Sequence, residues 1–488
     1  MLGIDRSSGD YLYRQVTDLI TESIDAGTLR PGDRLPSLRR MSDQIGVSVP
    51  TVRQAYIELE RQRRVESRPQ SGFYVRALRT NELVRPAPGP KAANQPASVC
   101  CRPLMERVYD GLYQPNIVPL GIANPCMAHP AAKALHRSMK RIMSRVEERA
   151  ISYAPTLGEP TLRRQIAYRY LDVVGNSVDP ATICITNGGQ EALLIALQAV
   201  ASKGDVIAVE SPAYHGLLEL IDSLGMLALE VPTCPEDGVI LDALEKTLDE
   251  HPVKVCMFST TLSNPLGAAM PEAKRRALVE MLEDRDVVLI DDDVYGDLLY
   301  DGCRPKPAEF FSRKGNILTC GSFSKTAAPG YRIGWLLTGR FAAEVERLKR
   351  AYSCSSGLLQ QLTLSDFLAS GDYDRYLKTL RPVLQQNSER MQALVAEHFP
   401  GETRTSKPVG GSVLWLELPK SIDAELLFDS AIEAGISIAP GHIFSPQGRF
   451  SNYIRLSYGH PWSDEIESSI RWLGEEVKRL AGAAPHFT

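Results

Sequence analysis

Cysteine is scarce and arrives late. The 488 residues hold nine, the first at Cys100, and no Cys-x-x-Cys or Cys/His ligand spacing occurs. Neither a disulfide framework nor a zinc module organises such a chain, and free thiols in a reducing compartment are expected. Long apolar runs are missing too: none reaches the roughly 18 residues that span a bilayer. Residues 1–11 are polar and lead into an amphipathic segment, unlike the apolar core of a signal peptide. The expectation is a soluble, cytoplasmic protein with no membrane partner. Charge of one sign is also lacking, since 55 basic and 59 acidic residues leave a net charge of −4. That excludes a globally basic nucleic-acid binder but not a local basic face. Lysine is absent from residues 1–80, which carry 13 arginines against 10 acids and so a local excess of three positive charges. Hydrophobic residues make up 43% and charged residues 23%, average for a globular chain, which excludes disorder, collagen and coiled coil as whole-chain descriptions.

At roughly 150 residues per domain the length suggests about three domains, or two large ones. Residues 1–76 are dense in short helical patterns. Residues 77–99, with Arg85-Pro86-Ala87-Pro88-Gly89-Pro90, are Pro-rich and read as a linker. From Gly121 onward apolar strands alternate with helical stretches, the pattern of an α/β domain with a largely parallel sheet. The expected division is 1–76, a linker over 77–114, and 115–488.

In the first segment Val16, Leu19, Ile20 and Ile24 stand at helical spacing and predict a helix ending near Ala26-Gly27. Residues 29–33 read as a turn. Ser37 can cap a second helix over 37–44. Ile45-Gly46-Val47 is a tight turn, and Ser48 caps a third helix with Val52, Ala55, Tyr56 and Leu59 on its buried face. Two helices joined by a short Gly-containing turn make a helix-turn-helix. Residues 65–68 and 73–75, joined across Pro69-Gln70-Ser71-Gly72, read as a hairpin, the wing of a winged helix. The second helix of such a unit puts its N-terminal residues at base edges in the major groove, here Ser48, Thr51, Arg53 and Gln54. Arg53 can donate two bonds to guanine and Gln54 can pair with adenine; Arg39 can reach a phosphate.

The run Gly27-Thr28-Leu29-Arg30-Pro31-Gly32-Asp33-Arg34-Leu35-Pro36-Ser37-Leu38-Arg39, followed by Gly46-Val47-Ser48, Thr51-Val52 and Ala55-Tyr56, resembles the winged-helix domain of the GntR family of bacterial regulators over residues 11–76. The resemblance implies that Arg39, Thr51, Arg53 and the wing Gly72 lie against double-stranded DNA. Val49-Pro50 departs from the polar pair usual at the start of the recognition helix, which makes base reading there more apolar.

The chemistry-bearing pattern of the larger segment is Gly321-Ser322-Phe323-Ser324-Lys325-Thr326, followed by Pro329-Gly330-Tyr331-Arg332-Ile333-Gly334, set between strands expected over 316–320 and 332–338. A lysine displayed there can form a Schiff base with an aldehyde. Neighbouring hydroxyls and an arginine suit a phosphate. A strand over 181–186 runs into Asn187-Gly188-Gly189-Gln190 and a helix, which makes an anion cradle. A buried strand over 287–290 ends in Asp291-Asp292-Asp293-Val294-Tyr295, and acids at such a strand end face the ligand crevice of an open sheet. Ser263-Asn264-Pro265 offers an amide, and Glu210-Ser211-Pro212-Ala213-Tyr214 an aromatic that can stack on a flat cofactor.

Together these segments resemble the fold-type I pyridoxal-phosphate enzymes, the aspartate-aminotransferase-like superfamily, over residues 115–480. The resemblance implies a large domain with a mixed, mostly parallel sheet and a smaller C-terminal α+β domain. It implies that Lys325 bonds covalently to pyridoxal 5'-phosphate, that Asp292 pairs with the ring nitrogen, that Tyr295 and Asn264 bond the phenolic oxygen and that Tyr214 stacks on the ring. Gly189, Gln190, Ser322 and Arg332 would hold the phosphate, Tyr153 would reach it from a neighbouring subunit of a homodimer, and Arg455 would clamp a substrate carboxylate. Asp292 is chosen by its spacing to Tyr295; Asp291 and Asp293 stay open as alternatives.

A winged helix, a Pro-rich linker and an aminotransferase-like domain, in that order, resemble the MocR subfamily of GntR regulators. The implied function is a transcription regulator that senses pyridoxal phosphate, an amino acid or an amine, and binds an operator of two half-sites. The alternative is a working aminotransferase with an accessory DNA-binding domain.

Overall fold

The computed structural model describes residues 11–25, 28–29, 33–61, 64–68, 72–75, 83–86, 95–112, 114, 116–123 and 130–483. Its contacts divide the chain into two units, Met1–Glu82 and Leu83–Thr488.

The first unit holds the helices Leu12–Asp25, Leu38–Ile45 and Val49–Arg61 and the antiparallel strands Val65–Arg68 and Gly72–Val75. Ser37 caps the second helix, its Oγ accepting from Arg40 N at 3.3 Å. Gly46 then takes the left-handed conformation at φ 69°, which a residue without Cβ adopts at little cost. Ser48 Oγ accepts from Thr51 N at 3.3 Å and starts the third helix. Val16, Val52, Ala55, Tyr56 and Leu59 form a closed core with Val65 and Val75 of the hairpin, so the apolar spacing of three helices fixes one packing. The buried Tyr56 donates its hydroxyl to Pro36 O at 2.8 Å and meets Phe73 edge-on. The turns expected at residues 30–32 and 69–71 and the helix end at 26–27 lie outside the described residues.

The second unit is built on an eight-stranded sheet. Its order is Ile183–Thr186, Gly334–Leu337, Ile317–Ser322, Val288–Asp292, Val253–Phe258, Val206–Ser211, Leu227–Cys234, Gly238–Val239. The five strands from Ile317–Ser322 to Leu227–Cys234 are mutually parallel, while Gly334–Leu337 and Gly238–Val239 pair antiparallel. Nearly every residue of these strands is buried, as helices on both faces of such a sheet require. A second, four-stranded antiparallel sheet, Arg404–Thr405, Val413–Glu417, Tyr453–Ser457, Ala439–Pro440, packs with the helices Asp372–His398, Ala424–Glu433 and Asp464–Ala483 into a smaller α+β part.

Two local expectations differ. The stretch read as linker through 114 contains the helix Arg102–Leu112, whose Leu104, Met105 and Val108 are buried in the core of the second unit. Ahead of it, Ala97 exchanges two 2.9 Å backbone hydrogen bonds with Ala228, and Val84 O accepts from Thr405 N. The strand expected from Arg332 begins at Gly334, because Pro329–Tyr331 forms a short 3-10 turn and Arg332 leaves it at φ 53°.

Candidate functional site

The carboxyl ends of the strands Ile183–Thr186, Val288–Asp292 and Ile317–Ser322 open onto a cavity of about 150 Å³. It is lined by Gly189, Gln190, Tyr214, Asn264, Asp292, Tyr295, Ser322, Lys325 and Arg332, all expected from sequence. Leu193, Val294, Ser324 and Pro329 complete the wall.

One end is built for an anion. Gly188 has φ 80° and precedes the helix Gly189–Val200, whose first amides have no partner within the helix. A Cβ on Gly188 would stand 2.4 Å from Arg332 Nη2, so only glycine lets the guanidinium lie against the turn. Arg332 donates from Nη1 to Ser324 Oγ and from Nη2 to Asn187 O, both at 3.2 Å. Ser322 Oγ accepts from Ser324 N at 3.1 Å. The Gln190 side chain donates to Gly216 O at 2.8 Å, which ties the cradle to the helix after Tyr214.

The three consecutive acids have different surroundings. Asp291 accepts from Thr260 N, Thr260 Oγ1 and Ala308 N. Asp293 is ion-paired with the buried Arg304. Asp292 faces the cavity with only a 3.4 Å hydrogen bond from Val294 N, and burial pushes its carboxyl up to about 7. Of the three, Asp292 alone faces the cavity.

Lys325 donates from Nζ to Ala123 O at 2.7 Å. Burial and the Arg455 charge lower it to about 8, against the opposing pull of Asp292. The buried Tyr295 hydroxyl, beside Ser412, meets no partner of normal hydrogen-bond geometry, an orphan that a ligand oxygen would satisfy. Tyr214 is pushed up to about 12 by burial and stacks edge-on to His215 at 4.8 Å. An anion cradle, a depressed amine, a lone half-buried carboxyl and an unpartnered phenol fit a phosphorylated aromatic aldehyde.

Arg455 lies on the strand Tyr453–Ser457, 2% exposed. It donates from Nη1 to Asn264 Oδ1 at 3.2 Å and from Nη2 to Gly121 O, so it reaches the cavity through Asn264. Tyr153 does not join this group: it is 89% exposed, beside Ser355, Ser356 and Leu358. Sequence reasoning assigned no role to Ser324, although it stands next to Lys325, or to His215, half-buried and packed against Tyr214, Tyr109 and Phe444.

On the first unit Arg39, Ser48, Arg53, Gln54 and Gly72 are exposed and Thr51 is half-buried. Ser48 Oγ and Thr51 Oγ1 share a 2.8 Å hydrogen bond, and Val49 is 38% exposed. The Arg34 guanidinium lies about 3.5 Å from where a Gly72 Cβ would be. This wing-side cation was not singled out from sequence, because pairing of residues 33–35 with 73–75 across the fold brings it there.

Fold and site together define an aminotransferase-like protein that carries a winged helix at its N-terminus. Residues 115–467 match the family of aminotransferase class I and II, and residues 12–75 match the bacterial regulatory proteins of the gntR family. The chain belongs to the aminotransferase class I and II family through its second unit, and as a whole to the helix-turn-helix transcription regulators of the MocR type. It is 33% identical to the uncharacterized HTH-type transcriptional regulator YjiR of Escherichia coli, over 96% of this chain and 99% of the relative. YdcR of the same organism, also an uncharacterized HTH-type regulator, is 34% identical with the same coverage. Among solved structures, the α-aminoadipate aminotransferase LysN of Thermus thermophilus, complexed with N-(5'-phosphopyridoxyl)-L-leucine, superposes with a TM-score of 0.70. The identity is 26%, over 79% of this chain and 100% of that one. Among the described residues no helix is long and apolar enough to cross a membrane.

Proposed function

We propose that the protein is a cytoplasmic, homodimeric transcription regulator that binds an operator of two half-sites through residues 12–75. Its second unit holds pyridoxal 5'-phosphate at Lys325 and senses an amino acid or amine there. The observation that carries this reading is the convergence of nine residues from five separate segments of the chain on one cavity, in a chain whose helix Val49–Arg61 turns Arg53 and Gln54 outward.

Bound there, pyridoxal phosphate supplies an aldehyde that takes up amines and a ring that draws electrons. Lys325, lowered to about 8 by burial and the Arg455 charge, offers the amine that attaches the cofactor. Asp292 would orient the ring and hold a proton at its nitrogen. Ser322, Arg332 and the amides of Gly189 and Gln190 would hold the phosphate, Tyr214 would stack on the ring, and Tyr295 with Asn264 would bind the phenolic oxygen. Arg455, already bonded to Asn264, is placed to exchange that bond for an effector carboxylate. An effector can shift DNA affinity only by binding two arrangements of the protein unequally.

The test is one preparation of full-length protein followed by absorbance and by DNA mobility. Pyridoxal phosphate is titrated first, then a panel of amino acids and amines. A yellow, lysine-bound chromophore that is lost in Lys325→Ala, with DNA affinity changed by at least one amino compound, is expected. DNA affinity indifferent to the cofactor and to the whole panel would refute sensing. The retention of Lys325, Asp292 and Arg455 in working positions favours a second reading, transamination. Sustained keto-acid production without DNA would establish that reading.

A further inference from the structure

The turn that should receive a phosphate already carries a negative charge. Glu191 is the third residue of the helix Gly189–Val200. Its carboxylate accepts from Asn187 N at 2.5 Å and from Asn187 Nδ2 at 3.1 Å. These bonds fix the residue in front of Gly188-Gly189 and so set where the first free amides of the helix point. A carboxylate at this place also competes with any anion for the positive end of the helix.

Lys349, on the helix Ala342–Ser353, answers that charge from outside the cavity. It is 0% exposed and donates from Nζ to Glu191 Oε2 at 2.7 Å and to Ser356 Oγ at 2.9 Å. Burial alone would raise Glu191, but the hydrogen bonds from Lys349 and Asn187 outweigh it and hold the acid below its ordinary range.

We propose that Glu191 and Lys349 are a positioning pair for the phosphate cradle. Glu191 orients the turn, and Lys349 cancels the charge that this orientation brings, so that the turn can take a doubly charged phosphate. Neither residue touches the ligand. The inference rests on the cavity holding pyridoxal phosphate, and its test therefore compares that ligand with pyridoxal, which lacks the phosphate.

In Lys349→Met the carboxylate is uncompensated, and affinity for pyridoxal phosphate should fall about tenfold or more while that for pyridoxal changes less than about twofold. Adding Glu191→Gln removes the charge but keeps an acceptor for Asn187, and should restore affinity to within about threefold of the unmodified protein. A merely structural role would weaken both ligands together. If Lys349→Met alone does not fold, Glu191→Gln by itself carries the test, and it should bind pyridoxal phosphate at least as tightly as the unmodified protein.

The measurement is titration of full-length protein by absorbance, with borohydride trapping on Lys325 of the unmodified protein first. No trapping there would overturn the cofactor reading and this inference with it. Trapping at Lys325 combined with unchanged affinity in Lys349→Met, with equal losses for the two ligands, or with weaker pyridoxal phosphate binding in Glu191→Gln, would overturn the positioning pair alone.

Discussion

Lys325 and Asp292 set each other's protonation. Lys325 is lowered to about 8 by burial first and by the Arg455 charge second, and Asp292 opposes both. The attacking group is the neutral amine, so the rate of covalent uptake of pyridoxal phosphate should rise about tenfold per pH unit below the lysine's midpoint and level off above it. Asp292→Asn removes the charge that holds the proton on Lys325, so the midpoint should move to lower pH. Stopped-flow absorbance across a pH series checks this, and a midpoint that stays or moves upward refutes the coupling. At this scale the sequence named the residue types but ranked the three acids by spacing alone, with Asp291 and Asp293 left open. Spacing to Tyr295 pointed to Asp292; the physical reason lies in partners far along the chain. Thr260 and Ala308 occupy Asp291, and Arg304 occupies Asp293.

Elements were legible where a local signal ends them. Ser37 and Ser48 cap their helices as expected, and Gly46 turns the chain between them. The helix Arg102–Leu112 was missed because the Pro-rich composition just before it suggests extended chain, and its eleven residues gain their stability from burial against the second unit. Arg332 was drawn into a strand because no local preference announces a left-handed arginine; its contacts with Asn187 and Ser324 hold it there. The helix Val49–Arg61 buries Val52, Ala55, Tyr56 and Leu59 and so turns Arg53 and Gln54 outward. If Arg53 reads a guanine, Arg53→Ala should cost roughly 1–3 kcal/mol on the specific site and relax preference at one base pair. Arg39→Ala should weaken all sequences alike and lower the salt slope by about one. Binding isotherms on specific and scrambled duplexes at several salt concentrations separate the two, and equal losses on both duplexes for Arg53→Ala would exclude base reading.

For the whole molecule, Tyr153 is the residue that a single chain leaves unexplained. It is 89% exposed beside Ile151, itself 90% exposed, on a surface shared with Ser355 and Leu358. Two large side chains held out together offer a surface that a second copy would cover in the proposed homodimer, and the family resemblance gives Tyr153 a phosphate to reach there. The expectation of a dimer comes only from that resemblance, since no pattern within one chain encodes which residues serve a partner's site. A two-fold dimer with exchanged tyrosines makes a specific arithmetic. Tyr153→Phe protein lacks the phenol at both sites, and Lys325→Ala protein lacks the lysine at both. In a hybrid, the Tyr153→Phe chain keeps its own Lys325 and borrows an intact Tyr153, so one site of the two is whole. Equal co-expression should then give about one quarter of all sites with unmodified cofactor affinity, since half of the dimers are hybrids with one whole site each. Titration with pyridoxal phosphate should show this tight fraction in the co-expressed sample and in neither parent. Because each dimer carries two winged helices, the hybrid should still protect two half-sites of the operator. A sedimenting monomer with tightly held, Lys325-linked cofactor, or a co-expressed sample with no tight fraction, would show that each chain completes its site alone.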